Sequence, residues 1–275
     1  MHPSLSNRRA RPRLVALGDL VLDIVVAPEV AIASGTDVGG SIRFRTGGSA
    51  ANVARSFAAL GGQATFVGGV GADALGRRLV ATLRSAGVTV HAARVRQPTA
   101  RLVVLLGPGG ERSFVTQRGA ADYLRPVDLR RAWVRRAGVL HLPAYSLLAE
   151  PLAAAARQAA EWAHAGGGIV SVDLASARPL LGMGRRAARR LIADVAPDLL
   201  LANADEAAAL VARGAAERLV ALAPCVVIKE GAEGCRVMWR ADAADPASEL
   251  LQLTVATRRI DTTDTTGAGD AFDAG

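Results

Sequence analysis

Near the carboxyl end of the chain, Asp264-Thr265-Thr266-Gly267-Ala268-Gly269-Asp270-Ala271-Phe272 combines residue types able to handle a charged oxygen. Glycine tolerates the backbone angles of a tight turn and alanine favours helix, so the run reads as a turn opening into a helix. The first N–H groups of a helix lack internal partners and the dipole there is positive, so the amides of Gly267, Ala268 and Gly269 suit a phosphate or another anion. Asp270 fits a simple anion seat poorly. Its carboxylate repels an anion, unless it takes a proton from the group that attacks it. A glycine turn followed by a helix whose early aspartate satisfies the dipole accounts for the same residues. Both readings stand at this point.

Other polar groups sit where elements begin or end. Gly47-Gly48-Ser49-Ala50-Ala51-Asn52 opens a helix running to about residue 60, with Ser49 as its N-cap and Val53, Phe57 and Leu60 at core spacing. Asn52 then faces outward from the first turn, beside glycines that admit a ligand, or is simply a surface residue. Asn203-Ala204-Asp205-Glu206 follows a strand and starts a helix, a pattern that capping alone explains. Lys229-Glu230-Gly231-Ala232-Glu233-Gly234 also follows a strand; it places a cation and a glycine turn near a nucleotide, or else forms a hairpin. A buried first strand over 14–17 exits through Gly18 and Asp19 towards Asp23, and ligands of open α/β sheets bind past the carboxyl ends of such strands.

These groups need a scaffold, and the hydrophobic pattern supplies one. Apolar runs at 64–67, 139–142, 169–173, 199–202 and 226–229 alternate with helical stretches at 75–86, 151–165, 185–195 and 206–212. That alternation implies a parallel sheet. Residues 99–106 and 112–117 read as a hairpin across Gly107-Pro108-Gly109-Gly110. Together with β-branched sequence from about 24–46, strands within 97–118 form a small separate sheet, inserted as a lid. Gly69-Val70-Gly71 gives only a weak dinucleotide signal, because no acid follows about twenty residues on to hold a ribose.

Composition limits the alternatives. At 275 residues and 51% hydrophobic, the chain can bury a full core. Its net charge of +8 comes almost wholly from arginine, Lys229 being the one lysine. The arginine pairs, such as Arg77-Arg78 and Arg189-Arg190, are scattered and lack interleaved aromatics, which argues against nucleic acid as a partner. Asp19 and Asp23 interrupt the first apolar run, so neither a signal peptide nor a membrane span is expected. Cys225 and Cys235 form no disulfide framework and the four histidines no metal-ligand spacing, so a reducing, cytoplasmic setting is the default. Residues 1–13, polar and arginine-rich, read as a disordered leader.

Taken together, the motifs resemble the ribokinase-like (PfkB) carbohydrate kinase family. Gly47, Gly48, Asn52, Gly61 and Gly71 match its first signature and Asp264 to Asp270 its second. Asn203 with Glu206, and Lys229 with Gly231 and Gly234, match two shorter motifs, all in the family's order. The resemblance implies a ribokinase-like α/β fold over 14–275, with a mostly parallel central sheet flanked by helices on both faces and a small inserted β-sheet lid. It implies transfer of the ATP γ-phosphoryl to a hydroxymethyl group of a sugar, ribokinase- or fructokinase-like, or of a nucleoside, with Mg2+ and, in many members, a monovalent cation (K+).

By the same resemblance Asp270 is the general base, and the Gly267, Ala268 and Gly269 amides form the anion hole. Asp23, Gly47, Gly48 and Asn52 contact the sugar, and Lys229, Gly231, Gly234 and Thr265 the nucleotide. Asn203 and Glu206 organise magnesium through water. Two features depart from the pattern: Glu230 stands beside Lys229, and the chain stops at Gly275, inside the helix that follows the anion hole, which reads as a truncated domain. A sugar-binding or regulatory protein of the same fold is the competing expectation, and the open edge of a lid sheet favours a homodimer.

Overall fold

A computed structural model describes residues 11–107, 111–212, 214–242, 245, 247–258, 265 and 267–275. In the first half, β1 (Arg13–Gly18), β2 (Val21–Pro28) and β3 (Gly40–Gly47) lead into α1 (Ser49–Ala59). They are followed by β4 (Gln63–Gly71), α2 (Ala74–Ser85), β5 (Thr89–Val95), β6 (Arg101–Leu106) and β7 (Arg112–Gln117). The second half contains α3 (Arg131–Val134), β8 (Val139–Pro143), α4 (Leu152–His164), β9 (Ile169–Asp173), α5 (Ala177–Met183) and α6 (Arg185–Ala193). It closes with β10 (Leu199–Asn203), α7 (Ala204–Leu210), β11 (Cys225–Lys229), β12 (Cys235–Arg240), β13 (Leu250–Val255) and α8 (Ala268–Ala274).

Nine strands form one sheet in the order β13-β12-β11-β10-β9-β8-β1-β4-β5. Pairings from β5 through β11 are parallel, while β12 and β13 add antiparallel at one edge. Both faces are covered, which the alternation along β1 makes plain. Val15 and Leu17 pack with α4 through Leu152, Ala155 and Ala159, while Leu14 and Ala16 pack with α1 and α2 through Ala50, Val53 and Leu79. Central strands buried on both sides therefore appear in the sequence as near-continuous apolar runs, with no alternation. The last two strands carried no such signal. β13 is largely exposed, and its neighbour β12 mixes arginine with Val237 and Met238.

A second sheet of four strands, β3-β2-β6-β7, stands apart from the first. It draws on the two segments that the sequence assigned to an inserted sheet; the tip of the β6–β7 hairpin at 108–110 lies outside the described residues, as do residues 1–10 of the leader expected over 1–13, whose end is instead ordered, Arg13 opening β1 and the Pro12 carbonyl accepting from the Gln63 amide. Asp23 was expected on an exit turn, but β2 starts two residues earlier and takes Asp23 into the sheet, paired with Arg45 of β3. Among the described residues no helix is long and apolar enough to cross a membrane.

Candidate active site

Helix α1 brings the first group of polar residues together. Its N-cap is Gly48, with φ +100°, and not Ser49 as expected. Two facts decide this. A Cβ at Gly48 would run into the Asp19 carbonyl. The cap is also supplied from the turn after β1, where Asp19 Oδ1 accepts from the Ala50 amide at 3.3 Å and its carbonyl from that of Ala51. Asp19 is 5% exposed and is paired with Arg118 at 3.0 Å, just past β7, which ties the small sheet's exit to the large sheet.

Ser49 is thereby free for another task. Its hydroxyl donates to Asp270 Oδ1 at 2.7 Å, and Asn52 Nδ2, one turn on and on the same helix face, donates to Asp270 Oδ2 at 2.8 Å. Arg55, a further three residues along, donates to Asn52 Oδ1 at 3.1 Å and fixes which way the amide points. Helix α8 presents Asp270 because it packs along α1, with Ala274 buried among Ala50, Val53 and Ala54. Burial raises the Asp270 pKa, and the hydrogen bonds from Ser49 and Asn52 oppose that.

α8 is preceded by Gly267 at φ +76°, the left-handed geometry expected of the glycine turn. The Ala268 amide donates to the Thr265 carbonyl at 3.1 Å, so one of the three expected anion donors closes the turn. Asp264 and Thr266 of the same motif lie outside the described residues.

Beside this helix pair opens a cavity of ≈ 450 Å³, whose walls include Asp23, Asn52 and Gly267 together with Arg45, Arg55 and Arg78. Gly47 closes on Asp23: a Cβ there would land on the carboxylate. Asp23 Oδ1 is buried without a hydrogen-bond partner, which leaves its acceptor capacity open. Burial, then Asp19 and Asp270, push the Asp23 pKa up to about 6 against the pull of Arg45 and Arg55. An acceptor of this kind suits a ligand hydroxyl.

Lys229 approaches α8 from the end of β11. Its ammonium reaches Asp173 at 2.8 Å and Asp273 at 3.1 Å, both with side chains almost fully buried. It thus ties the ends of β9 and β11 to the helix carrying Asp270. Glu230 does not engage it; that carboxylate pairs with Arg236 across the β11–β12 hairpin at 3.1 Å. Gly231 and Gly234 form the tight connection of this hairpin, both at positive φ. Desolvation raises the pKa of both Asp173 and Asp273, and Lys229 opposes the rise at each. The Asp173 charge adds to the burial of Asp273, which stands at about 8.

Asn203 and Glu206 form a capping box: Asn203 Oδ1 accepts from the Asp205 and Glu206 amides, and Glu206 Oε2 from the Asn203 amide at 2.8 Å. Glu206 is 7% exposed, and burial followed by the nearby Asp173 charge raises its pKa. Asp173, Asp270 and Asp273 offer carboxylate oxygens within 4.8 Å of one another. Hard oxygen donors with one ammonium among them fit a magnesium ion, which such a set would hold directly or through water.

Sequence reasoning missed Ser49, Arg55, Arg78, Asp173 and Asp273 as members of the site. Helical spacing from Asn52 and from Asp270 points to three of them, and Asp173 ends a central parallel strand.

The chain as a whole has known relatives. Fructokinase-2 from Zea mays is 33% identical over 271 residues, 94% of this chain and 77% of that protein. Adenosine kinase from Sinorhizobium meliloti superposes with a TM-score of 0.81 at 26% identity, covering 97% of this chain and 86% of that one. A sugar kinase from Pyrococcus horikoshii in complex with ATP gives a TM-score of 0.75 at 20% identity, over 95% and 82% of the two chains, and speaks for the fold. Residues 11–275 match the pfkB family carbohydrate kinases. With the ribokinase-like fold and this match in agreement, the chain belongs to that family of carbohydrate kinases, ATP-dependent phosphotransferases acting on a sugar.

Proposed function

We propose that the protein transfers the γ-phosphoryl group of ATP to a hydroxymethyl oxygen of a sugar held between α1, α2 and the small sheet, with Asp270 as general base. The observation that carries this reading is the setting of Asp270: a half-buried carboxylate held by Ser49 and by Asn52 of the cavity wall, one turn from Gly267. The sugar's hydroxyls bind Asp23 and Asn52, with Gly47 and Gly48 giving the close approach. As the acceptor oxygen attacks phosphorus its proton passes to Asp270, the bond from the γ-phosphorus to the bridging oxygen breaks, and ADP leaves. The Gly267 and Gly269 amides face the charge of the transferring group, the Ala268 amide being engaged within the turn. Lys229, Gly231, Gly234 and Thr265 border the nucleotide, Lys229 chiefly by holding α8 in place. Asp173 and Asp273, with Glu206 and Asn203 through water, would hold magnesium, which would supply neutralisation of phosphate charge.

Incubation with ATP, magnesium and a sugar such as fructose or ribose is expected to release ADP with formation of a sugar phosphate. Sugar binding with no ADP release would favour the non-catalytic reading instead.

A pH profile follows from the site. Asp23 must be ionised to accept from a hydroxyl, and its pKa stands raised to about 6. Binding strength is therefore full above that value and lost as pH falls through it. The kcat/KM of the protein is expected to decline below about pH 6. In Asp23→Asn, KM should rise by about ten- to a hundredfold, the worth of one hydrogen bond to a charged group. A profile flat from pH 7 to 5 in the unmodified protein would contradict this.

The small sheet, read as a lid, also supplies a surface for a second copy. Ile42 and Phe44 of β3 pair with Val26 and Ile24 of β2, which pair with Leu105 and Val103 of β6, and Val103 pairs with Val115 of β7. Paired residues share a face, so these seven apolar side chains are contiguous; Ile42, Phe44 and Val115 are more than half exposed. Sedimentation is expected to give a dimer, and Ile42→Lys a monomer. A monomeric unmodified protein would remove this part of the proposal.

A further inference from the structure

The cavity that receives the sugar is lined by more positive charge than a neutral sugar can use. Arg45, Arg55 and Arg78 reach it from β3, α1 and α2, and among the described residues Asp23 is the one acid in its wall. Arg45 stands opposite Asp23 in the β2–β3 register. Arg55 is exposed and spends its donors on the Thr46 carbonyl and on Asn52, both uncharged. Arg78, also exposed, has no acidic partner among the described residues. It lies one turn from Thr82 on the α2 wall, while Asp23, Asn52 and Gly267 gather beside Asp270. Such a cavity has a hydroxyl-binding end next to the base and a cationic wall supplied by a different helix.

Guanidinium groups recognise carboxylate and phosphate through paired, charge-assisted hydrogen bonds. We propose that the acceptor is an anionic sugar, carrying a carboxylate or a phosphate that Arg78, with Arg55, holds while its hydroxymethyl group faces Asp270. This rests on the kinase reading of the same cavity and narrows it. A neutral hexose would leave Arg78 without an anionic partner and Arg55 with only the nearby Asp23 charge, and its affinity would come only from the Asp23 end.

Equilibrium titration calorimetry of the protein with fructose, fructose 6-phosphate and gluconate tests the idea without turnover. Both anions keep a free hydroxymethyl group, and the two arms separate phosphate from carboxylate recognition. One of them is expected to bind at least about tenfold more tightly than fructose, a difference worth about 1.4 kcal/mol. Arg78→Gln should remove most of that margin, weakening the anion far more than fructose. The proposal is overturned if neither anion binds more tightly than fructose, if Arg78→Gln weakens all three ligands alike or none, or if inorganic phosphate alone binds as well as the sugar phosphate. Should an anion bind in an Arg78-dependent way and yet release no ADP from ATP, the anionic ligand class stands and the kinase reading fails.

Discussion

Asp270→Asn is expected to lower kcat by about 10²- to 10⁴-fold, the range typical of losing a positioned proton acceptor. Its KM for the sugar should change far less, because the hydroxyl contacts at Asp23 are untouched. The oxygen of the new side-chain amide can still accept from Ser49, but its NH2 group opposes the Asn52 amide, so some loss of ground-state positioning accompanies the loss of the base. Stability provides the control. Asp270 is largely buried and its pKa is raised, first by desolvation and further by the Asp173 and Asp19 charges. A group whose folded pKa is raised favours the folded state less as pH climbs through that value. Removing its charge should therefore leave Tm at pH 7.5 unchanged or higher. Rate loss with an unaltered or raised Tm identifies a chemical role; equal rates in both proteins would dismiss Asp270 as the base.

Lys229→Met carries the second large effect, and it falls on folding as well as on activity. Lys229 is the cation that neutralises Asp173 and Asp273, whose side chains are 4% and 0% exposed. Removing one partner of a buried ionic cluster costs about 3–5 kcal/mol, because the remaining charge is left uncompensated. Here the acids can escape part of that cost by binding protons. In the unmodified protein Asp273 already has its pKa at about 8, so its contribution to stability is present at low pH and declines as pH rises through 8. Without the ammonium both acids are pushed higher still. The Tm deficit of Lys229→Met should accordingly be large at pH 8 and shrink at pH 5.5, measured by calorimetry at fixed ionic strength. A deficit independent of pH would mean that Lys229 contributes packing and not charge. Because the same cluster anchors α8, activity should fall with it even where the variant stays folded.

Much of this architecture was legible from residue order alone. The parallel strands declare themselves because burial on both faces demands runs such as Leu199-Leu200-Leu201-Ala202, and the β6–β7 hairpin because its strands flank a glycine-proline turn. Asp270, Asn52 and the glycines around them stood out because a turn at a helix start has few sequence solutions, and their expected roles came from the resemblance to the family's two signatures. What lay out of reach were contacts between segments far apart in the chain. Ser49 has the residue type of an N-cap, and local reasoning made it one; only the arrival of Asp19 from the β1 turn, which caps α1 in its place, releases the hydroxyl to Asp270. Glu230, the acid next to Lys229 in sequence, is drawn off by Arg236 across a hairpin, and the acids that matter come from β9 and α8.

Residue order thus carried the parallel strands and the pair of signatures, since backbone angles and two-sided burial are local demands, and the resemblance of those signatures to the family implied the kinase fold. The tertiary structure decided which charges meet. Arg45, Arg55 and Arg78 are scattered along the chain and converge on one cavity, because pairing of β2 with β3 and packing of α1 and α2 against one side of the large sheet bring their side chains to the same wall. Electrostatic partners are chosen by distance in space, which residue order does not record.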